Sequence, residues 1–275
     1  MLSGMKKRIL FFGDIVGSIG RRAVCAILPR LREQYAPDVV IANVENLAHG
    51  RGITPKTLSE LDAVGITAYT SGNHIFENPN GLACFADPTW KDRLIRPQNI
   101  LAFRPGKGVM SIQLGDQRLF VVNLMGQLFM KDEVESPFVV IDRILTEEIL
   151  PISGEKPLVI VDFHTETTSE KEAFGHYVDG RVSAVFGTHT HVPTADLKVL
   201  PGGTAYATDI GRNGAMDSVV GFEKNAALGR FLGKTQKAYD IPEHGTAEIN
   251  ALLLEIDFEG RNVLGLTRVQ EKIDV

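Results

Sequence analysis

Strand–helix alternation from one end of the chain to the other predicts one α/β domain. Short apolar runs rich in Val, Ile and Phe lack strict alternation, as strands buried on both faces do. Between them lie stretches whose apolar residues recur at helical spacing, and no Ser/Gly-rich linker or internal repeat divides the chain. Side chains able to bind metal or move protons follow the strand runs directly, at the sheet edge where α/β proteins form their ligand sites.

Taken in order, the strand runs are residues 8–12, 38–42, 68–70, 118–124, 158–163, 182–186, 205–208 and 250–258. The helical patterns are residues 20–34, 54–64, 137–150, 169–178 and 223–232. Thr54 and Pro55 suit a helix start, as does Ser169-Glu170-Lys171-Glu172. Residues 78–108 carry Pro79, Pro88, Pro97 and Pro105 and read as loops over the surface. Near the C-terminus, residues 248–257 and 262–269 read as an antiparallel pair turning at Glu259-Gly260.

Composition sets the bounds. The 275 residues are 44% hydrophobic and 23% charged, which excludes disorder, collagen and low complexity. With 29 Lys+Arg against 34 Asp+Glu, the net charge of -5 disfavours duplex nucleic acid, which is gripped by a dense basic footprint. Cys25 and Cys84 make no disulfide framework or thiolate metal site and read as buried thiols of a reducing compartment. The apolar run 9–12 is too short for a signal-peptide core, and no stretch is long enough to span a bilayer. A cytoplasmic protein is expected, with residues 1–7 as an N-terminal extension and 8–275 as the domain.

Asp14 follows the first strand run, Glu45 and Asn46 the second, and Asn73 and His74 the third. His164 follows run 158–163, and His189 and His191 follow run 182–186. In a mainly parallel sheet these five strand ends share one edge. A carboxylate can bridge two divalent ions, imidazole suits Fe, Mn, Zn or Ni, and a neutral Asn oxygen fills a position without adding charge. The set matches a two-metal site. His189 and His191, at i and i+2, would share a side if extended, or reach two neighbouring ions from a loop.

Phe12-Gly13-Asp14, Ser71-Gly72-Asn73-His74 and Gly187-Thr188-His189-Thr190-His191 resemble the motif set of calcineurin-like metallophosphoesterases. Residues 12–17, 43–46, 164–171 and 179–185 narrow the resemblance to the YmdB-like branch, over nearly the whole chain. Val16 stands where the wider superfamily has a His, and Glu45 where it has a bridging Asp. In the YmdB-like branch a Glu bridges and the adjacent Asn replaces that His. Val44 departs from the branch, where Gly is expected.

The resemblance implies a four-layer αββα metallophosphoesterase fold, a β-sandwich flanked by helices, and a homo-oligomer, a tetramer. It implies that Asp14, Glu45, Asn46 and His191 hold one metal ion and Glu45, Asn73, His164 and His189 a second, with iron or manganese preferred. It further implies phosphodiester hydrolysis, with 2′,3′-cyclic nucleotides as substrates. A metal-bridging hydroxide attacks phosphorus, and His74 serves as the general acid beside the site. Two alternatives stand beside this reading: a phosphomonoesterase or nucleotidase using the same metals, and a regulatory binding protein with weak residual hydrolysis.

Plainer readings exist for each residue. Asp14 alone would be a turn or cap residue, and Asn73 an Asx turn. Thr188 and Thr190 either orient imidazoles or merely end a strand. Glu166 either touches substrate or caps residues 167–170 and is left outside the site. Arg51 could meet phosphate but is read as a solvated loop arginine. His49, His176 and His244 are read as surface or structural residues, with His49 close enough to Glu45 to line the site. Gly13, Gly17 and Gly20 miss the dinucleotide-binding spacing, and no Gly-x-Ser-x-Gly occurs.

Overall fold

The computed structural model describes residues 6–102, 104–153, 157–234, 240–259 and 262–275. It contains two six-stranded sheets, where residue pattern alone predicted one mainly parallel sheet with an appendage. In the first, β1 (Lys6–Phe12), β2 (Val39–Asn43) and β3 (Ala68–Thr70) run parallel. β11 (Thr246–Asp257) pairs antiparallel with β1, with β10 (Gly214–Ala215) and with β12 (Val263–Asp274). In the second, β5 (Gln117–Met125), β6 (Leu158–His164), β7 (Ala184–Thr188) and β9 (Ala205–Ala207) run parallel between antiparallel edges β4 (Val109–Leu114) and β8 (Lys198–Val199).

The period-2 alternation of each strand assembles the layers. Ile9 and Phe11 of β1 join Val121, Ile160 and Phe186 in a core between the two sheets. Leu10 and Phe12 face the other way, against Val24, Leu28 and Leu31 of α1 (Gly17–Tyr35) and Leu58 of α2 (Pro55–Asp62). On the outer face of the second sheet, Val122, Val161 and Phe163 pack on α3 (Pro137–Arg143) and α5 (Thr168–Tyr177). Four layers, αββα, result, as the resemblance implied. Both faces of the central strands are covered, which is why their runs read as continuously apolar.

Local rules explain most boundaries. Thr54 caps α2 in a capping box with Thr57, and Pro55 supplies the fixed φ of the first turn. α1 starts before the expected residue 20 because tertiary contacts set its start: the Gly17 N–H donates to the Asn46 carbonyl. The expected helix 137–150 is broken into α3, a wider π turn (Ile144–Ile149) and α4 (Leu150–Ser153). Pro151 has no N–H and crowds the carbonyl four residues back, so the chain widens before it. α5 begins not at Ser169 but after Thr167, whose side chain accepts from the Glu170 N–H, while Glu170 and Lys171 are buried. The last helix, α6, is Lys224–Phe231.

Three expectations need correction. Residues 109–114, unassigned from the sequence, form β4 and turn through Gly115-Asp116 into β5, with Gly115 at φ 66°. Residues 78–108 are not merely surface loops, because Cys84, Phe85, Trp90, Leu94 and Ile95 are buried there. Cys25 is half-buried instead of buried. The C-terminal antiparallel pair forms, longer than expected, although Gly260 of its turn lies outside the described residues, as do 1–5 of the expected extension. No helix among the described residues is long and apolar enough to cross a membrane.

Candidate metal centre

The carboxyl ends of β1, β2, β3, β6 and β7 meet at one rim shared by both sheets. The convergence expected along a single sheet edge is therefore achieved across the sandwich. Asp14, Glu45, Asn46 and His164 are buried there, His191 is 8% exposed, and Asn73, His74 and His189 are half-buried. His164 is the last residue of β6 instead of following it. Val44, the departure from the branch pattern, is accommodated: it is fully buried and its N–H donates to the Thr70 carbonyl.

One group of atoms lacks donors. His164 Nε2 lies 3.0 Å from Asn73 Oδ1, 3.0 Å from His189 Nδ1 and 3.3 Å from Glu45 Oε1. The opposite ring nitrogens are each occupied. His164 Nδ1 faces Thr188 Oγ1 at 2.8 Å, and that hydroxyl donates to Asp162 Oδ1 at 2.7 Å, so Nδ1 is assigned the proton. His189 Nε2 faces Glu166 Oε2 at 2.9 Å, which assigns its proton there. With both imidazoles neutral in these tautomers, two imidazole lone pairs, an amide oxygen and a carboxylate oxygen face one another with no N–H or O–H between them. Ligand atoms of Glu45, His164 and His189 all lie within 4.8 Å of one another.

Beside this group lie Asp14, Asn46 and His191. His191 Nδ1 donates to the Val220 carbonyl at 2.8 Å, leaving Nε2 as a lone pair 4.0 Å from Asp14 Oδ1. Asn46 Nδ2 donates to the Gly50 carbonyl at 2.9 Å. Asp14 Oδ1, Glu45 Oε1 and Asn46 Oδ1 are buried without a hydrogen bond. Stranding such acceptors costs about 1–3 kcal/mol each, more when charged, unless a cation meets them. Nitrogen and oxygen donors fit divalent metal ions.

The electrostatics agree. Burial opposes charge on His164, but Glu45, Asp14 and Asp162 outweigh it and hold the imidazole up at about 9. Burial also works against the Glu45 carboxylate, and His164, His74 and His189 overcome it, keeping the group ionised. Burial, and then the charge of His164, pushes His189 down to about 3. Burial raises Asp14. The same carboxylates would draw a metal ion to the Nε2 lone pair of His164.

His189 and His191 occupy left-handed backbone, at φ 98° and 64°, which costs of order 1–3 kcal/mol each. They are therefore not an extended pair, and His189 turns to the His164 group while His191 turns to Asp14. Residues not singled out in the sequence hold this loop. Lys171, fully buried, donates to the Thr188 carbonyl (2.8 Å) and to Asp209 Oδ2 (2.7 Å). Asp209 in turn accepts from the Thr190 N–H and hydroxyl. Asp209 stands just after β9, so the rule that found the other site residues applies to it too. Glu166, left outside the site from sequence as a substrate contact or a cap, pairs with His189 at 2.9 Å. Gly72 is required by space, since a Cβ there would lie 2.2 Å from His164 Nε2.

His74 donates its backbone N–H to Glu45 Oε2 at 2.8 Å, and its Nδ1 lies 2.6 Å from Glu77 Oε1. Its side chain lines an open cleft of about 790 Å³ together with Asn73 and His189. Arg51 also lines this cleft, paired with Glu77 at 3.1 Å. His49, His176 and His244 are exposed, as expected.

A helix-flanked double sheet with carboxylate, amide and imidazole side chains gathered at its rim is the arrangement of a metal-dependent phosphoesterase. The chain belongs to the YmdB-like family, whose sequence pattern, described as "YmdB-like protein", matches residues 10–269. It is 38% identical over 262 residues to the 2′,3′-cyclic-nucleotide 2′-phosphodiesterase of Bacillus subtilis, covering 95% of this chain and 96% of that one. Among solved structures it is similar to a novel phosphatase of Mycoplasma pneumoniae (32% identity, TM-score 0.89, covering 98% of this chain and 95% of that one). It is also similar to a hypothetical protein of Thermus thermophilus (37% identity, TM-score 0.85, 96% and 99%).

Proposed function

We propose that this chain is a two-metal phosphodiesterase that opens small cyclic phosphodiesters, 2′,3′-cyclic nucleotides foremost. The observation that carries the reading is the set of donor-free lone pairs on Glu45, Asn73, His164 and His189, at the end of a cleft that His74 also lines. The activity for which the Bacillus subtilis relative is named supports the substrate class. In this reading Asp14, Glu45, Asn46 and His191 hold one ion and Glu45, Asn73, His164 and His189 the other. Divalent ions held there supply positive charge for the phosphoryl oxygens and the acidity that makes water a nucleophile near neutral pH.

The chain's own groups do the rest. Thr188 and Glu166 fix which nitrogen of His164 and His189 faces the centre. Glu77 holds His74 by Nδ1, so Nε2 delivers the proton to the departing ribose oxygen. Such a step contributes about 10²–10⁴ in rate. Iron or manganese suits the thiolate-free ligands. A homotetramer in the cytoplasm completes the proposal, and exposed Leu228, Phe231 and Leu232 on and just beyond α6 offer apolar surface for assembly.

The test is turnover of 2′,3′-cyclic AMP by the manganese-loaded protein beside Asn73→Ala and His74→Ala. The expected result is loss of turnover in both, with metal content falling only in Asn73→Ala. Bound metal without turnover of the cyclic diester, but with hydrolysis of a nucleoside monophosphate, would replace this reading with a phosphomonoesterase.

A further inference from the structure

The cleft beside the proposed metal ligands is also lined by residues that the hydrolytic chemistry does not use. There Phe129 is 87% exposed, an unusual position for so large an apolar side chain. Its backbone is also left-handed, at φ 61°, which is an outlier for a bulky residue. Both costs are borne by a segment that is firmly held. Buried Glu170 accepts the N–H groups of Gln127 (2.8 Å) and Leu128 (3.2 Å) on its two carboxylate oxygens. Just before them, Gly126 packs so closely that a Cβ would lie 1.9 Å from Thr165 Oγ1. The fold thus fixes the backbone up to the residue before Phe129, which lines the cleft with its side chain exposed. Strain that the surroundings enforce, at a site lined by proposed catalytic residues, points to a ligand.

We infer that Phe129 is the stacking platform for the nucleobase of the substrate. This rests on the phosphodiesterase reading above and deepens it. A base has a π face, and stacking on an exposed aromatic ring is sequence-tolerant recognition. The charge around the cleft limits the ligand to a single nucleotide. Arg51, Arg104 and Lys131 are answered by four carboxylates, so the walls form no positive track for a polyanion. The 790 Å³ volume suits a small ligand held largely within the cleft. Arg104 is itself stacked over Phe76, 5.6 Å from the ring centroid, which leaves Phe129 as the open aromatic face.

The experiment compares 2′,3′-cyclic AMP with glycerol 1,2-cyclic phosphate, which carries the same five-membered cyclic diester and no base. Wild-type, Phe129→Ala, Phe129→Leu and Phe129→Trp proteins are assayed as manganese holoenzymes, with their masses measured in solution. The ratio of kcat/KM for the nucleotide over the glycerol diester should fall by about tenfold or more in the Ala and Leu variants, through KM, since stacking per base has this order of strength. Trp should keep the ratio. A ratio unchanged in Ala overturns the inference, as does a changed assembly mass with both substrates lost together, which makes Phe129 an interface residue. Failure of wild type to turn over either diester defeats the phosphodiesterase reading itself.

Discussion

Gly72→Ala separates the metal-centre geometry from every other feature of the fold. Gly72 is not in left-handed backbone, so alanine is conformationally allowed there and only space is at issue. Its Cβ would lie 2.2, 2.3 and 2.4 Å from Nε2, Cδ2 and Cε1 of His164. Ordinary contact requires the ring to retreat by more than about 1 Å. It has little room, because His164 is fully buried and tied to Thr188. Overpacking of this kind costs about 1–3 kcal/mol, or about 2–12 °C in Tm for a chain of this size. Metal–nitrogen distances tolerate only about 0.2 Å, so the shift should remove His164 from coordination and weaken Mn²⁺ binding by at least tenfold, about 10–100-fold. Calorimetric titration with Mn²⁺, with circular dichroism and Tm on the metal-free protein, reads both effects. A folded Gly72→Ala protein with wild-type Mn²⁺ affinity would refute the placement of His164 at the metal.

Glu166→Ala should weaken Mn²⁺ binding by about tenfold by freeing the His189 ring, with Tm of the metal-free protein almost unmoved; equal affinity contradicts the orienting role. Lys171→Met leaves the fully buried Asp209 carboxylate without its cation and should cost about 3 kcal/mol, read as a Tm loss of about 6–12 °C by calorimetry. A loss below about 2 °C would show that the pair does not hold the histidine loop. On β11, hydrogen bonding from Lys6, with Arg8 beside it, keeps Glu255 below its usual carboxylate range against the effect of partial burial. A depressed folded-state pKa stabilises above the unfolded value of 4.5 and is lost as pH falls through the folded value. Glu255→Gln should therefore lower Tm by about 1 °C at pH 7, and the difference from wild type should vanish in acid. A difference that persists at pH 3 contradicts the assignment.

The candidate site was legible because its residues obey one local rule: Asp14, Glu45, Asn46, Asn73, His74, His189 and His191 follow buried strands, and His164 ends one. Burial on both faces made β1, β2 and β6 stand out as apolar runs. Those runs do not say which strands pair, since a strand buried in one sheet or another has the same composition. The division into two sheets therefore came from the family resemblance and not from periodicity. β4 escaped because its outward face is polar and only Gly115-Asp116 signals the hairpin. Lys171 escaped because a lysine at a helix start reads as solvated, and its charge became intelligible only when folding placed Asp209 beside it. Glu166 was one loop residue among many until His189 was located 2.9 Å away.

The central claim is that the facing lone pairs at the strand ends are metal ligands. Crystals soaked in Mn²⁺ and measured at the manganese absorption edge test it directly. The account predicts one anomalous peak within bonding distance of Glu45 Oε1, Asn73 Oδ1, His164 Nε2 and His189 Nδ1, and a second among Asp14, Glu45, Asn46 and His191. Crystals that show no peak at these atoms, or manganese bound elsewhere on the chain, would contradict it.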